Sequence, residues 1–144
     1  MSDALFSLEG RVYWSETDAA QIAHFTSFLR YCEKTEEEFV LQLNRGGHVF
    51  PPPILFPRVH VEIDYYTPLR VHDRYRVDLV NLEIGRKSLR WYYKIYNLTL
   101  DSLAAECHIV TVAFDPTTWK AIEVPEDLRR LIEERIKKKG VGTA

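Results

Sequence analysis

The chain has 144 residues, a mass of 16.9 kDa and a formal net charge of −2. This length suits one domain, spanning residues 1–144, whose core needs no disulfide or metal for support. The near-neutral charge argues against nucleic acid or an anionic membrane surface as a partner. Apolar runs fall short of the roughly 20 residues of a membrane-spanning helix. The N-terminus lacks the basic start and long apolar segment of a signal peptide, so we expect a cytoplasmic protein.

The first half of the chain predicts one short strand and one long helix. Residues 10–15, GRVYWS, are short, aromatic and typical of a strand. From residue 25 to residue 43, apolar side chains recur at three- and four-residue steps, which places them on one face of a helix. This stripe comprises Phe25, Phe28, Leu29, Cys32, Phe39, Val40 and Leu43. Glu36 falls near its centre, where a carboxylate needs a partner or must lie where the helix leaves the sheet.

A loop rich in glycine and proline, residues 44–57, separates the helix from a predicted sheet and is long enough to form a flap. From residue 58 the pattern has a period of two, as in Val59, Val61 and Ile63. Strands are predicted at residues 58–68, 74–84, 88–98 and 103–115, and their short connections favour antiparallel pairing. Residues 124–140 predict a short C-terminal helix with acids at its start and lysines at its end. The order predicts an α+β fold in which a long antiparallel sheet wraps around one central helix.

Two smaller features concern the environment of the protein. Cys32 and Cys107 have neither CxxC spacing nor clustered histidines, so we expect buried free thiols. Asparagine and glutamine are depleted, which points to a thermophilic source. The five residues of these two types are Gln21, Gln42, Asn44, Asn81 and Asn97.

Several motifs follow one another in a consistent order along the chain. They are DAAQIAHF at residues 18–25, the aromatic Phe28, Glu33, V-x-x-x-I-x-Y-x-x-P at residues 59–68, G-x-x-S at residues 85–88 and VPEDLRRLI at residues 124–132. In order and spacing they resemble the hotdog-fold 4-hydroxybenzoyl-CoA thioesterase family over roughly residues 10–132. The resemblance implies a single hotdog domain with acyl-CoA thioesterase activity and no metal or organic cofactor. Its substrate is an acyl group on CoA or on a carrier protein.

The resemblance assigns the chemistry to the start of the long helix. Asp18 is implied as nucleophile or general base, and the backbone N–H of Phe25 as the donor to the oxyanion. A helix N-terminus suits this role because its N–H groups are unpaired and its dipole favours negative charge. Asp18 lies seven residues before the helical stripe, too early to cap its first turn. Gln21 departs from the family, which usually has glycine there, and this bears on the turn that aims Asp18.

Glu33 is the second catalytic candidate. It lies eight residues after the position of the oxyanion donor, an offset at which hotdog thioesterases of another type place their catalytic acid. The alternative is a structural glutamate on the flank of the helix, bonded to the sheet or to a partner subunit.

Other residues are candidates for binding the substrate. Arg86 and Lys87, followed by Ser88, form a basic turn that suits CoA phosphates, although an ordinary solvated turn has the same composition. His24 follows Asp18 much as in a hotdog hydratase, although Ile-Ala stands where that motif has Asn-Pro. The alternatives to a thioesterase are therefore an enoyl-CoA hydratase using Asp18 and His24, and a non-catalytic acyl-CoA-binding regulator.

A polar row on the first long strand contains His60, Glu62 and Asp64. These residue types also form metal sites. We expect a row that faces solvent or another subunit, with no metal.

The strands carry apolar and aromatic residues on both faces, which predicts that the chain is not a monomer. On residues 88–98, one face carries Leu89, Trp91, Tyr93 and Ile95, and the other carries Tyr92, Tyr96 and Leu98. The helix covers one face, and a second copy is the simplest cover for the other. The resemblance implies a homodimer with sheets joined edge to edge, often paired again into a homotetramer, with sites lined by two subunits. Whether the chain is a homodimer or a homotetramer stays open.

Overall fold

A computed structural model of the chain describes residues 3–43 and 54–139. The described elements are β1 (Phe6–Arg11), a 3-10 helix (Trp14–Glu16), α1 (Ser27–Leu43), β2 (Arg58–Tyr65), β3 (Arg74–Ile84), β4 (Ser88–Asn97), β5 (Ser102–Val112), β6 (Phe114–Asp115), β7 (Lys120–Ala121) and α2 (Glu126–Lys139). Five strands form an antiparallel sheet in the order β1-β3-β4-β5-β2, and β6 and β7 form a separate hairpin. The α+β architecture expected from the sequence is confirmed.

Helix α1 lies on one face of the sheet, against β1, β3 and β5. Phe39 is fully buried and packs edge-on against Trp91, with ring centroids 6.2 Å apart. Phe28 and Cys32, one turn apart, are buried on the same face. The predicted stripe is wrong at its first member, because Phe25 precedes α1 and its side chain is 64% exposed.

The faces of β3 and β4 follow the predicted alternation, with one interruption. On β4 the predicted inner face is confirmed, since Leu89, Trp91, Tyr93 and Ile95 are buried. On β3 the register shifts between Leu79 and Asn81, so that Leu82 rather than residue 81 faces the core. Such an irregularity inserts one residue into a strand and reverses the side-chain alternation beyond it.

The first strand was predicted in the wrong place. It runs from Phe6 to Arg11 rather than over residues 10–15, and Trp14–Glu16 forms a 3-10 helix. The reason is local, because the Glu16 carboxylate accepts a hydrogen bond from the Tyr13 N–H at 3.0 Å and stabilises a turn against the strand propensity of the two aromatic residues. The hairpin of β6 and β7 was missed, because the last strand was extended to residue 115. The predicted flap at residues 44–57 lies mostly outside the described residues.

Both cysteines are free and buried, as expected. A hydrogen bond with the Cys107 thiol, together with burial, raises the pKa of Cys32. None of the described helices combines the length and the hydropathy that crossing a bilayer requires.

Candidate active site

A tight turn presents Asp18 ahead of α1. The Gln21 N–H donates to the Asp18 carbonyl at 3.0 Å, and the Asp18 N–H donates to the Ile22 carbonyl at 2.9 Å. Asp18 Oδ1 accepts a hydrogen bond from the Ala20 N–H at 2.8 Å. Across the described ranges, no donor reaches Asp18 Oδ2. Asp18 is therefore a turn residue with one oxygen engaged, and it does not cap α1.

Gln21 occupies the position of this turn that needs glycine. Its φ is 63°, in the left-handed region that residues with a Cβ adopt at a cost. Its carbonyl accepts a hydrogen bond from the Val71 N–H at 3.0 Å, which ties the turn to the segment before β3. The positive φ explains why the family usually has glycine at this position. In this chain the same turn forms with glutamine in its place.

The segment between Asp18 and α1 is held by hydrogen bonds from several directions. The Glu16 carbonyl accepts from the His24 N–H at 2.8 Å and from the Ser27 hydroxyl at 2.7 Å. The His24 carbonyl accepts from the Ser27 N–H at 2.8 Å, and the Phe25 carbonyl accepts from the Tyr65 hydroxyl at 2.7 Å. Among the residues that the structure describes, none accepts a hydrogen bond from the Phe25 N–H. The start of α1 therefore leaves this amide available to a ligand.

Asp18 and Phe25 line one cavity of about 310 Å³, which we call the Asp18 pocket. Its lining residues are Asp18, Ile22, Ala23, Phe25, Phe28, Tyr65, Tyr66, Thr67 and Pro68. Among them, Asp18 is the one that carries a carboxylate, and the walls are apolar and aromatic. Phe28 and Tyr65 meet edge to face with centroids 5.1 Å apart.

Both tyrosines of the Asp18 pocket have a pKa above the ordinary value of a phenol. Burial raises the pKa of Tyr65. A hydrogen bond to the Glu106 carboxylate raises the pKa of Tyr66, whose hydroxyl lies 2.8 Å from Glu106 Oε1. A phenol is protonated at neutral pH even at its ordinary pKa, and both hydroxyls donate hydrogen bonds, Tyr65 to Phe25 and Tyr66 to Glu106.

This arrangement suits attack on a carbonyl carbon. An unpaired amide at a helix start stabilises a developing oxyanion, and one such donor contributes about 3 kcal/mol to the transition state. A carboxylate beside it either attacks the carbonyl or removes a proton from water. The two groups that the sequence predicted for chemistry, Asp18 and Phe25, are brought together in the Asp18 pocket.

Glu33 is not brought into the Asp18 pocket. It is exposed on α1 and lines a second cavity of about 250 Å³. The other residues of that cavity are Glu16, Ser27, Arg30, Tyr31, Lys34 and Glu37. Glu33 and Asp18 thus line two different cavities of the chain.

His24 lies beside the Asp18 pocket and does not line it. Its Nδ1 accepts a hydrogen bond from the Thr26 N–H at 3.2 Å and lies 2.7 Å from the Thr26 hydroxyl. Its ring stacks on Phe25 with centroids 4.4 Å apart. These contacts direct the His24 ring toward the helix start rather than toward Asp18.

The basic turn, residues 85–88, lies at the far end of the sheet from the Asp18 pocket. Arg86 Nε donates to Glu123 Oε1 at 2.9 Å, Lys87 is exposed, and Ser88 begins β4. The register places this turn near the Arg58 end of β2, whereas the Asp18 pocket lies at the Tyr65 end. At about 3.3 Å per residue along β2, the two lie roughly 20 Å or more apart. One chain does not bring them together.

Glu36 has the partner that its position requires. Its Oε1 accepts from Arg58 at 2.9 Å and from the Tyr93 hydroxyl at 3.4 Å. Burial raises the pKa of Glu36 even though Arg58 opposes the shift. The polar row of His60, Glu62 and Asp64 is exposed on β2, with His60 Nε2 3.2 Å from Glu62 Oε1.

Sequence analysis assigned no role to Tyr65, which lines the Asp18 pocket. The available signal was the V-x-x-x-I-x-Y-x-x-P motif, which contains Tyr65. Its contact with Phe25 spans 40 residues, so no local pattern reveals it.

Residues 12–132 match the thioesterase-like superfamily. The chain belongs to this superfamily. A 1,4-dihydroxy-2-naphthoyl-CoA hydrolase from Microcystis aeruginosa is 28% identical over 123 residues, covering 84% of this chain and 88% of its own. A protein of the same name from Synechococcus sp. strain CC9902 is 30% identical over 129 residues, covering 85% of each chain. The crystal structure of a 1,4-dihydroxy-2-naphthoyl-CoA thioesterase from Synechocystis has a TM-score of 0.75 at 25% identity, covering 90% of this chain and 96% of that one.

The hotdog architecture expected from the motifs is therefore confirmed, and the resemblance holds at the level of the superfamily. The relatives named above are named for a naphthoyl thioester. They therefore do not support a specific membership among the 4-hydroxybenzoyl-CoA thioesterases.

Proposed function

We propose that this chain is a thioester hydrolase that converts an acyl-CoA into the free acid and CoA. The observation that carries the proposal is the Asp18 pocket. It is lined by Asp18, whose carboxylate has one oxygen engaged, and by Phe25, whose N–H has no acceptor among the described residues. Membership of the thioesterase-like superfamily supports the same reaction.

In the proposed mechanism the thioester carbonyl oxygen accepts a hydrogen bond from the Phe25 N–H. Asp18 then either attacks the carbonyl carbon, forming an anhydride that water hydrolyses, or removes a proton from the attacking water. The thiolate of CoA leaves in both cases and takes up a proton. Glu33 is the alternative acid, and its exchange is the matched control for Asp18.

The proposed acyl group is aromatic. The walls of the Asp18 pocket include Phe25, Phe28, Tyr65 and Tyr66, which favour stacking and edge-to-face contacts with a planar ring. The names of the relatives point in the same direction, since their acyl group is a dihydroxynaphthoyl ring system. His24 supports this end of the site through its stacking on Phe25.

The nucleotide of CoA is proposed to meet Arg86, Lys87 and Ser88 of a second copy. Strand β2 is an edge strand, with Val59 61% exposed and Val61 44% exposed. Antiparallel pairing of β2 with its copy places the Tyr65 end of one chain beside the Arg58 end of the other. The basic turn of one chain then approaches the Asp18 pocket of the other, and an open sheet edge is removed. A homodimer of this kind, paired again into a homotetramer, is the proposed assembly.

The decisive experiment measures CoA release from a panel of thioesters. The panel contains benzoyl-type and naphthoyl-type acyl-CoA and both short and long aliphatic acyl-CoA. We expect the highest kcat/KM for the aromatic thioesters. Binding without release of CoA would identify the regulator, and hydration of an enoyl-CoA without release would identify the hydratase.

A second arm of the assay tests the nucleotide site. The double variant Arg86→Ala, Lys87→Ala is expected to raise the KM for CoA thioesters about tenfold, because two cations near phosphates are lost. The same acyl group on pantetheine, which has no nucleotide, should show an unchanged KM. Equal losses on both substrates would show that Arg86 and Lys87 do not bind the nucleotide.

Sedimentation equilibrium at micromolar concentration tests the assembly. A fully active species of 16.9 kDa would contradict a site shared between two subunits.

A further inference from the structure

Tyr65, the last residue of β2, joins the edge of the sheet to the start of α1. Its hydroxyl donates to the Phe25 carbonyl at 2.7 Å, and its ring packs edge to face against Phe28 at 5.1 Å. The phenol is protonated at neutral pH at its ordinary pKa, and burial raises that pKa further. A carbonyl only accepts, so the direction of this hydrogen bond is fixed.

The Phe25 carbonyl accepts no hydrogen bond from a backbone N–H of the described residues, and the Tyr65 hydroxyl is the donor instead. The first backbone bond into α1 runs from the Arg30 N–H to the Thr26 carbonyl at 3.3 Å. The Phe25 carbonyl lies one residue earlier, and it is Tyr65 that engages it. The peptide that follows Phe25 is therefore oriented by a side chain from β2.

The peptide that precedes Phe25 is held as well. Its carbonyl, that of His24, accepts from the Ser27 N–H at 2.8 Å. Both peptide planes that flank the Phe25 Cα are thus held, one by backbone and one by Tyr65. The Phe25 N–H lies in the first plane, and fixing the second plane restrains the rotations about the Phe25 Cα that would redirect it.

We propose that Tyr65 is a positioning residue, whose hydroxyl holds the Phe25 amide in the direction that an oxyanion requires. The inference rests on the proposed function, in which that amide is the oxyanion donor. A donor held in place costs no reorganisation when charge develops, so its benefit falls on the transition state rather than on substrate binding.

The test compares Tyr65→Phe with Tyr92→Phe. The first variant keeps the ring and its contact with Phe28 and loses only the bond to Phe25. The second removes a hydroxyl from β4 that lies outside the Asp18 pocket and donates to Glu83 at 3.0 Å. We expect Tyr65→Phe to lower kcat about tenfold with KM within about twofold of the parent, because the lost interaction serves the transition state. Tyr92→Phe should leave both constants within about twofold.

A second measurement does not depend on catalysis. Backbone ¹⁵N relaxation of the Phe25 amide should show a lower order parameter in Tyr65→Phe than in the parent and in Tyr92→Phe. An unchanged order parameter, an unchanged kcat, or a raised KM with unchanged kcat would each overturn the positioning role. A parent that releases no CoA from any thioester defeats the proposed function instead, and the relaxation data still decide whether Tyr65 holds the amide.

Discussion

The start and the middle of α1 are held in place by different interactions. In the middle, Cys32, Glu36 and Phe39 are buried against the sheet, and packing fixes their positions. At the start, Phe25 is 64% exposed. Hydrogen bonds hold the segment there: the Glu16 carbonyl accepts from the His24 N–H and the Ser27 hydroxyl, and the Tyr65 hydroxyl donates to the Phe25 carbonyl. One helix thus anchors the fold with its middle and offers polar groups to a ligand with its start.

The carboxylates of Asp18 and Glu36 show the same difference between the two regions. Asp18 is exposed, and one of its oxygens is engaged by a backbone N–H. Glu36 is 9% exposed and is paired with Arg58 and Tyr93. Glu36 is thus a structural group, whereas Asp18 lines a pocket with one carboxylate oxygen that no donor of the described residues engages.

The largest expected effect comes from emptying the middle of the helix. Phe39→Ala should lower the free energy of unfolding by about 3–5 kcal/mol, because it removes a fully buried ring that contacts Trp91 and Phe6. Urea denaturation measures the loss. The kcat of the protein that remains folded should stay within about twofold, since the Asp18 pocket lies at the other end of α1. A loss below 1 kcal/mol would mean that the middle of α1 does not anchor the fold.

A smaller effect concerns the pH dependence contributed by Glu36. Burial raises the pKa of this carboxyl in the folded protein above its ordinary value. The unfolded chain therefore releases this proton at lower pH than the folded one, and the stability of the parent falls as pH rises through the folded pKa. The free energy of unfolding of the parent minus that of Glu36→Gln should accordingly decrease as the pH rises from the ordinary glutamate pKa of 4.5 through the raised pKa of the folded protein. An increase over that range would show that Arg58 outweighs burial.

The smallest expected effect is a gain in stability at the turn that carries Asp18. Gln21→Gly should raise the free energy of unfolding by about 0.5–1 kcal/mol, because glycine adopts the observed φ of 63° without the Cβ penalty. Asp101→Gly is the matched comparison in a turn remote from the site, with a φ of 53°. It should gain less, since aspartate tolerates this region better than glutamine. A loss of stability in Gln21→Gly would mean that the Gln21 side chain makes a compensating contact.

Sequence patterns predicted the parts of the molecule that local periodicity controls. The buried face of β4 and the middle of α1 follow from alternation and from helical spacing, and both are confirmed. The first strand was misplaced because Tyr13 and Trp14 have strand propensity, whereas the chain there forms a 3-10 turn. The Glu16 N–H donates to the Tyr13 carbonyl, and the Glu16 carboxylate accepts from the Tyr13 N–H.

The site was predictable only where it is contiguous in sequence. Asp18 and Phe25 lie within eight residues, and the family resemblance names both. Tyr65 contacts Phe25 across 40 residues, and Arg58 pairs with Glu36 across 22, through contacts that only the folded chain creates. The distance between the basic turn and the Asp18 pocket likewise depends on strand register, which the sequence left open.

The most direct test of the central claim is the rate of CoA release by Asp18→Asn, with Glu33→Gln as the control. The asparagine keeps a carbonyl oxygen for the Ala20 N–H, so the turn and the urea midpoint should be unchanged. We predict that Asp18→Asn lowers kcat at least about 100-fold, because the nucleophile or general base is lost, and that Glu33→Gln stays within about threefold of the parent. Turnover by Asp18→Asn within about threefold of the parent, at equal folded concentration, would contradict the account.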